Sequence, residues 1–226
     1  MATNTERDII MKDFKCWGAG EANLQSLSGQ GERRFGSGKP ARHGVFVQME
    51  KIHFVLTGGT IDSYYDGRVD TVVPNKDSVI PGYMKSLKLY DGMKFTRVCM
   101  KDSRQLTRKD RENILKTIEK SPCRKIIVVH GTYTMPDTAR FLMGNLKRRD
   151  QTVILTGSMI PISGFAFSDA PFNLGYALAQ LGILKPGVYV CMNGRSFSHE
   201  EVLKSLYEGR FSSIFGERLP PKRIKN

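Results

Sequence analysis

Three short stretches carry the residue types that could do chemistry: Thr57-Gly58-Gly59-Thr60, His130-Gly131-Thr132 and Thr156-Gly157-Ser158. Glycine lets the backbone approach a ligand closely, and a hydroxyl can attack a carbonyl carbon or donate a hydrogen bond. Any one of them is explained by turn and cap formation. Three of them, each closing an apolar run, point to one polar pocket. A threonine hydroxyl is a poor nucleophile until a neighbouring group takes or polarises its proton, so the question becomes what stands beside it. His130 ends a buried run and reads as a hydrogen-bonded structural residue rather than a base, and His53 and His199 read as a strand residue and a helix cap. Asp62 and Asp169 follow strand ends, where caps and turns explain them. Asp137 falls in the first turn of a helix, where acidic residues are common for dipole reasons.

The elements that must position these residues can be read from hydrophobic spacing. "KIHFVLT", "KFTRVCM", "RKIIVVH", "QTVILTG" and "GVYVCMN" are apolar runs of strand length. Between them, "LTRKDRENILKTIEK" shows a helical stripe behind a Thr107 cap, "MPDTARFLMGNLK" has Pro136 near a first turn, and "APFNLGYALAQLG" closes at Gly182. "SHEEVLKSLYEG" is read as a final helix. Strands alternating with helices predict an α/β fold, a doubly wound, mainly parallel sheet flanked by helices, Rossmann-like in layout. In such sheets ligands bind beyond the carboxyl ends of the strands.

Residues 1–48, rich in Gly, Ser and Arg, are read as a disordered extension, 49–216 as the α/β domain and 217–226 as a basic tail. The chain has 226 residues and a formal charge of +13. Residues 1–50 carry 7 basic and 6 acidic side chains against 28 and 16 in the remainder, so the excess is spread over the domain rather than gathered in one block. Nucleic-acid binding is not expected, since aromatic clusters, zinc patterns and a helix-turn-helix are not seen. No apolar run approaches the roughly 20 residues of a membrane helix and no secretory leader is recognised, so a cytoplasmic protein without membrane attachment is expected. The four cysteines are widely spaced and read as reduced, buried thiols.

In order along the chain, "VLTGGTID", "KDSRQLT", "VVHGTYTMPDTA", "VILTGSMIP" and "SDAPFNLGYAL" resemble the successive motifs of the bacterial-type L-asparaginase family, which hydrolyses the side-chain amide of asparagine to aspartate and ammonia. "LKPGVYVCMNGRSFSHEEVLKSLYEGRF" resembles the close of its short, single-domain branch. The resemblance covers residues 49–214 and implies the N-terminal domain fold of that family, a small-molecule amide substrate, a homo-oligomer, and no metal or organic cofactor.

Carried over residue by residue, Thr60 matches the attacking threonine, with Gly59 beside it, and Thr132 the second catalytic threonine. Tyr64 or Tyr65, in "DSYYDG", matches the tyrosine of a mobile lid. Ser103, with Arg104 beside it, matches the segment that holds the substrate's carboxylate and amino group. Two positions depart: Tyr133 stands in place of the aspartate of HGTDTM, and Gln151 falls where the usual lysine is read to precede the strand into "TGSM". The threonine, lysine and aspartate set is thus read as threonine, glutamine and tyrosine. Neither an amide nor an unperturbed phenol, with a pKa of about 10, is a good base near neutrality. The resulting expectation is an amidohydrolase with specificity shifted from L-asparagine and Tyr133 in the amino-group subsite. The alternative is a catalytically silent domain that binds an amino acid or related metabolite.

Overall fold

The computed structural model describes residues 51–216, so the extension and tail expected from the sequence lie outside the described residues. Its centre is a six-stranded sheet in the order β4-β1-β5-β6-β7-β8, from β1 (Ile52–Gly58), β4 (Met93–Lys101), β5 (Lys125–Val129), β6 (Thr152–Thr156), β7 (Gly187–Met192) and β8 (Arg195–Ser198). All neighbours pair in parallel except β7 with β8, which are antiparallel. The short strands β2 (Ser63–Asp66) and β3 (Thr71–Pro74) form one separate hairpin, and β9 (Val202–Ser205) and β10 (Arg210–Ser213) form another.

The apolar runs are continuous because both faces of the sheet are covered, as parallel sheets require. Alternate residues feed two cores. Val55, Ile126, Val128, Val153, Leu155 and Val190 meet α2 (Arg108–Glu119) and α3 (Met135–Asn145) on one face. Phe54, Leu56, Ile127, Val129 and Ile154 meet α1 (Ile80–Ser86) and α4 (Ala170–Gln180) on the other. From β5 to β6 and from β6 to β7 the chain steps the same way across the sheet, yet α3 and α4 cover opposite faces. The β6–α4–β7 crossover therefore has the opposite hand to its predecessor, an arrangement rare among parallel crossovers.

Thr107 caps α2 as read, in a full capping box with Asp110. One expected element is overturned. The segment read as a last helix, 198–209, forms the end of β8, a turn, β9 and the tip of the β9–β10 hairpin, in which Lys204 lies opposite Phe211 and Val202 opposite Ser213. The hairpin wins because it buries Val202 and Phe211 in the α2/α3 core and lets Gly209 turn at φ +63°, whereas the apolar Leu206 and Tyr207 stay exposed at its tip. His199 consequently caps no helix; it lies between β8 and β9 with Nε2 3.8 Å from Glu200.

Candidate active site

Strands β4, β1 and β5 are neighbours, and their carboxyl ends open together into a cavity of about 210 Å³ lined by Gly59, Thr60, Asp102–Arg104, Gly131–Tyr133 and Lys204. Their loops lie almost in contact. Gly59 has φ +84°, and a Cβ there would overlap the Gly131 backbone; a Cβ on Gly131 would lie 2.7 Å from that of Ser103. Two side-chain-free positions thus let three loops converge on one point.

Ser103 is buried, its Oγ accepting from Thr134 N at 3.3 Å while Thr134 Oγ1 donates to its carbonyl at 2.9 Å, which ties the end of β4 to the start of α3. Asp102 holds Arg104 through two side-chain bonds, Nε to Oδ1 at 3.1 Å and Nη2 to Oδ2 at 2.8 Å, and accepts from the Arg104 backbone N at 2.8 Å. The Arg104 hydrogen bonds keep the Asp102 carboxyl below its ordinary pKa.

Thr132 is 5% exposed and accepts a hydrogen bond of 2.6 Å from Lys204 Nζ. Burial, then the positive charge of Arg104, hold the Lys204 ammonium below the ordinary lysine pKa, against a smaller opposing pull from Asp102. Lys204 reaches the cavity because β9 is fixed from behind. Arg140 Nη2 on α3 donates to the Val202 carbonyl at 2.8 Å, and Asn193, in a left-handed turn, accepts from Phe211 N at 3.1 Å while its own N–H donates to Asn173 Oδ1 on α4. Tyr133 is 51% exposed, and both basic side chains lie over its ring, the centroid 5.7 Å from the Arg104 guanidinium carbon and 5.9 Å from Lys204 Nζ.

Of the residues expected from the sequence, Thr60, Thr132, Gly59, Ser103, Arg104 and Tyr133 are all brought to this cavity. Tyr64 and Tyr65 are not. They stand exposed on the β2–β3 hairpin, with Tyr65 Oη donating to Asp70 at 2.5 Å. Asp62 ties the feet of that hairpin together: its carbonyl accepts from Asn75 N at 2.9 Å and its Oδ1 from Val79 N at 2.8 Å. The third Gly/hydroxyl stretch also stays outside the lining. Thr156 bonds to the Cys191 carbonyl, and the loop after β6 is held by Asp169, which accepts from Met159 N and Ile160 N. His130 donates from Nδ1 to the Gly131 carbonyl at 2.7 Å, its pKa depressed to about 4 by burial.

The reading of Gln151 is corrected. It precedes β6 at the amino end of the strand, away from the cavity, and donates Nε2 to the Ile118 and Cys123 carbonyls at 3.0 Å each. The amine beside Thr132 comes from Lys204, in the segment read as a helix. That reading gave the lysine no place in the pocket; the Gly209 turn followed by Phe211 was the available signal for a hairpin.

A family model described as the N-terminal domain of asparaginase matches residues 51–212. L-asparaginase 2 of Escherichia coli (strain K12) is 28% identical over 180 residues, covering 72% of this chain and 48% of that protein. A glutaminase-asparaginase of Acinetobacter glutaminasificans is 34% identical over 92 residues, 39% of this chain and 27% of that one. The crystal structure of a probable cytoplasmic L-asparaginase from Campylobacter jejuni superposes with a TM-score of 0.63 at 28% identity, covering 73% of this chain and 53% of that one. The chain therefore spans about half the length, or less, of the proteins it matches.

Proposed function

This chain belongs to the asparaginase family, and on that premise we propose that it is an amidohydrolase cleaving a carboxamide through a threonine hydroxyl, with a preference moved away from L-asparagine. The observation that carries the reading is the 2.6 Å contact between Lys204 Nζ and Thr132 Oγ1. Partial burial and the Arg104 charge favour a neutral amine, and a neutral amine at that distance can accept a proton. In the proposed reaction Thr60 Oγ1 bonds to the amide carbon while its proton passes through Thr132 to Lys204. The carbonyl pair moves onto oxygen, where backbone N–H groups near Gly59 and Thr132 stabilise it. Collapse breaks the C–N bond, and ammonia leaves with the proton returned by Lys204. Water then adds to the ester, giving carboxylate and restoring the hydroxyl. The hairpin carrying Tyr64 serves as a lid, hinged at Asp62.

A silent binding domain would follow from the absence of a base; Lys204 beside Thr132 counts against it. We further propose a symmetric homo-oligomer acting in the cytoplasm; a light-scattering mass equal to one chain would rule out the assembly. The function is tested by ammonia release from a panel of carboxamides, with and without an α-amino group, by the wild type, Thr60→Ala and Thr132→Ala. Turnover is expected for the wild type alone. Equal rates in all three proteins would remove both threonines from the mechanism.

A further inference from the structure

The charges around the cavity say which ligands can enter it. Three ionisable side chains of opposite sign line it: Arg104, Lys204 and Asp102. Asp102 is the one acidic side chain in the lining, and both its oxygens are bonded to Arg104. A cationic group entering this space would meet the Arg104 guanidinium and the Lys204 amine, and no carboxylate that is not already bonded to Arg104. An anionic group would meet the outer N–H groups of the guanidinium and the N–H donors of Lys204 that Thr132 does not use.

Beside both basic side chains stands the Tyr133 ring, which offers a flat apolar surface rather than a charge. A ligand crossing it needs a short aliphatic spacer. Resting on the amidase reading above, we infer that the substrate is an ω-monoamide of a short dicarboxylic acid without an α-ammonium group. Its amide lies at Thr60, Thr132 and Lys204, its methylenes on Tyr133, and its free carboxylate on Arg104. The product is then the unsubstituted dicarboxylate plus ammonia: one C–N bond is cleaved, one water is consumed, and no oxidant or reductant takes part.

Succinamate and L-asparagine have the same chain length and differ in the α-ammonium, as do the products succinate and L-aspartate. Calorimetric titration of the full chain with succinate and with L-aspartate reads recognition, and ammonia release from succinamate and L-asparagine reads chemistry. Succinate is expected to bind at least about tenfold more tightly than L-aspartate, because the α-ammonium would be brought beside the Arg104 guanidinium with no unbonded carboxylate to offset it. Arg104→Leu should abolish that preference. Tyr133→Asp, which places a carboxylate beside both basic side chains, should reverse it, and either variant is scored only with a cooperative thermal transition. Equal or tighter binding of L-aspartate by the wild type, no binding of either product, or a preference unchanged in both variants would overturn the inference. Preferential succinate binding without ammonia release from either amide would leave the ligand class standing and remove the amidase reading instead.

Discussion

Replacing Lys204 by Met removes the amine but keeps an unbranched stem, so chemistry and packing respond separately. On the stability side, Thr132 Oγ1, nearly buried, loses its donor, a cost of about 0.5–1.5 kcal/mol. Removing a partly desolvated ammonium that faces Arg104 acts in the opposite direction. The net change is expected to stay within about 1 kcal/mol, which for a domain of this size moves the thermal midpoint by about 2–4 °C. On the rate side, loss of a general base costs about 100-fold to 10,000-fold, or roughly 2.7–5.4 kcal/mol of barrier. The two readouts therefore differ several-fold in energy. Lys204→Arg sharpens the test, because a guanidinium keeps the charge and the donors but does not supply a neutral base near neutrality. Steady-state ammonia release on the best amide of the panel, with a calorimetric scan of each variant, decides the matter. Both variants are expected to be inactive yet folded. A folded Met variant with more than about a tenth of wild-type kcat/KM would refute Lys204 as the base, and an active Arg variant would make its role electrostatic.

The neutral form of Lys204 is the working one, so turnover should rise with pH through its depressed pKa; Arg104→Met removes a neighbouring cation and frees Asp102, and both changes raise that pKa, so the rising limb of a pH–kcat profile should move to higher pH. Gln151→Leu removes a donor from the Cys123 carbonyl and one of several from the Ile118 carbonyl, which keeps Ser121 N, and should lower stability by about 0.5–1.5 kcal/mol in urea titrations while leaving kcat unchanged, since the residue lies away from the cavity; a loss of kcat in the folded variant would return Gln151 to the site. Gly59→Ala forces a side chain into a left-handed conformation against Gly131, costing at least about 1–3 kcal/mol and activity together, visible as a lowered midpoint and a raised KM. His53 and His130 are held neutral in the fold, each from 6.5 down to about 4, so the unfolded chain binds more protons between those limits; stability should be full above pH 6.5 and fall as pH drops towards 4, and His53→Asn should shallow that slope in urea midpoints measured against pH.

Where local signals agreed with burial, the sequence was legible. The parallel strands announce themselves because both faces are covered, and α2 because Thr107 and Asp110 form a capping box before an apolar stripe. Thr60, Ser103, Arg104, Thr132 and Tyr133 were legible through their strand ends and motifs. What failed were short elements stabilised from a distance. Seven-residue α1 contains Pro81 and Gly82 and holds its place through Ile80 and Met84 in the core, and the β9–β10 hairpin depends on Arg140, Asn193 and the burial of Phe211. No window of local spacing contains those partners, so Lys204 went unread within a supposed helix and the missing amine was sought at Gln151. The misreading was one of pairing, since a lysine on a helix face and a lysine on a two-stranded ribbon look alike in one dimension.

The late position of that ribbon also sets an order of events as the chain is made. The last parallel strand ends at Met192, and Thr60 and Thr132, which follow β1 and β5, have by then long left the ribosome. Domains fold as units while synthesis proceeds at about 5–20 residues per second, so the sheet has its strands before the amine exists. Lys204 follows twelve residues after Met192, and the strand that pairs with it closes only at Ser213. A nascent or truncated chain ending before β9 would own the six strands of the sheet and both hydroxyls, yet neither the Lys204 amine nor the core side chains Val202 and Phe211. On the proposed mechanism, the pocket would stay without its amine until the β9–β10 hairpin docks.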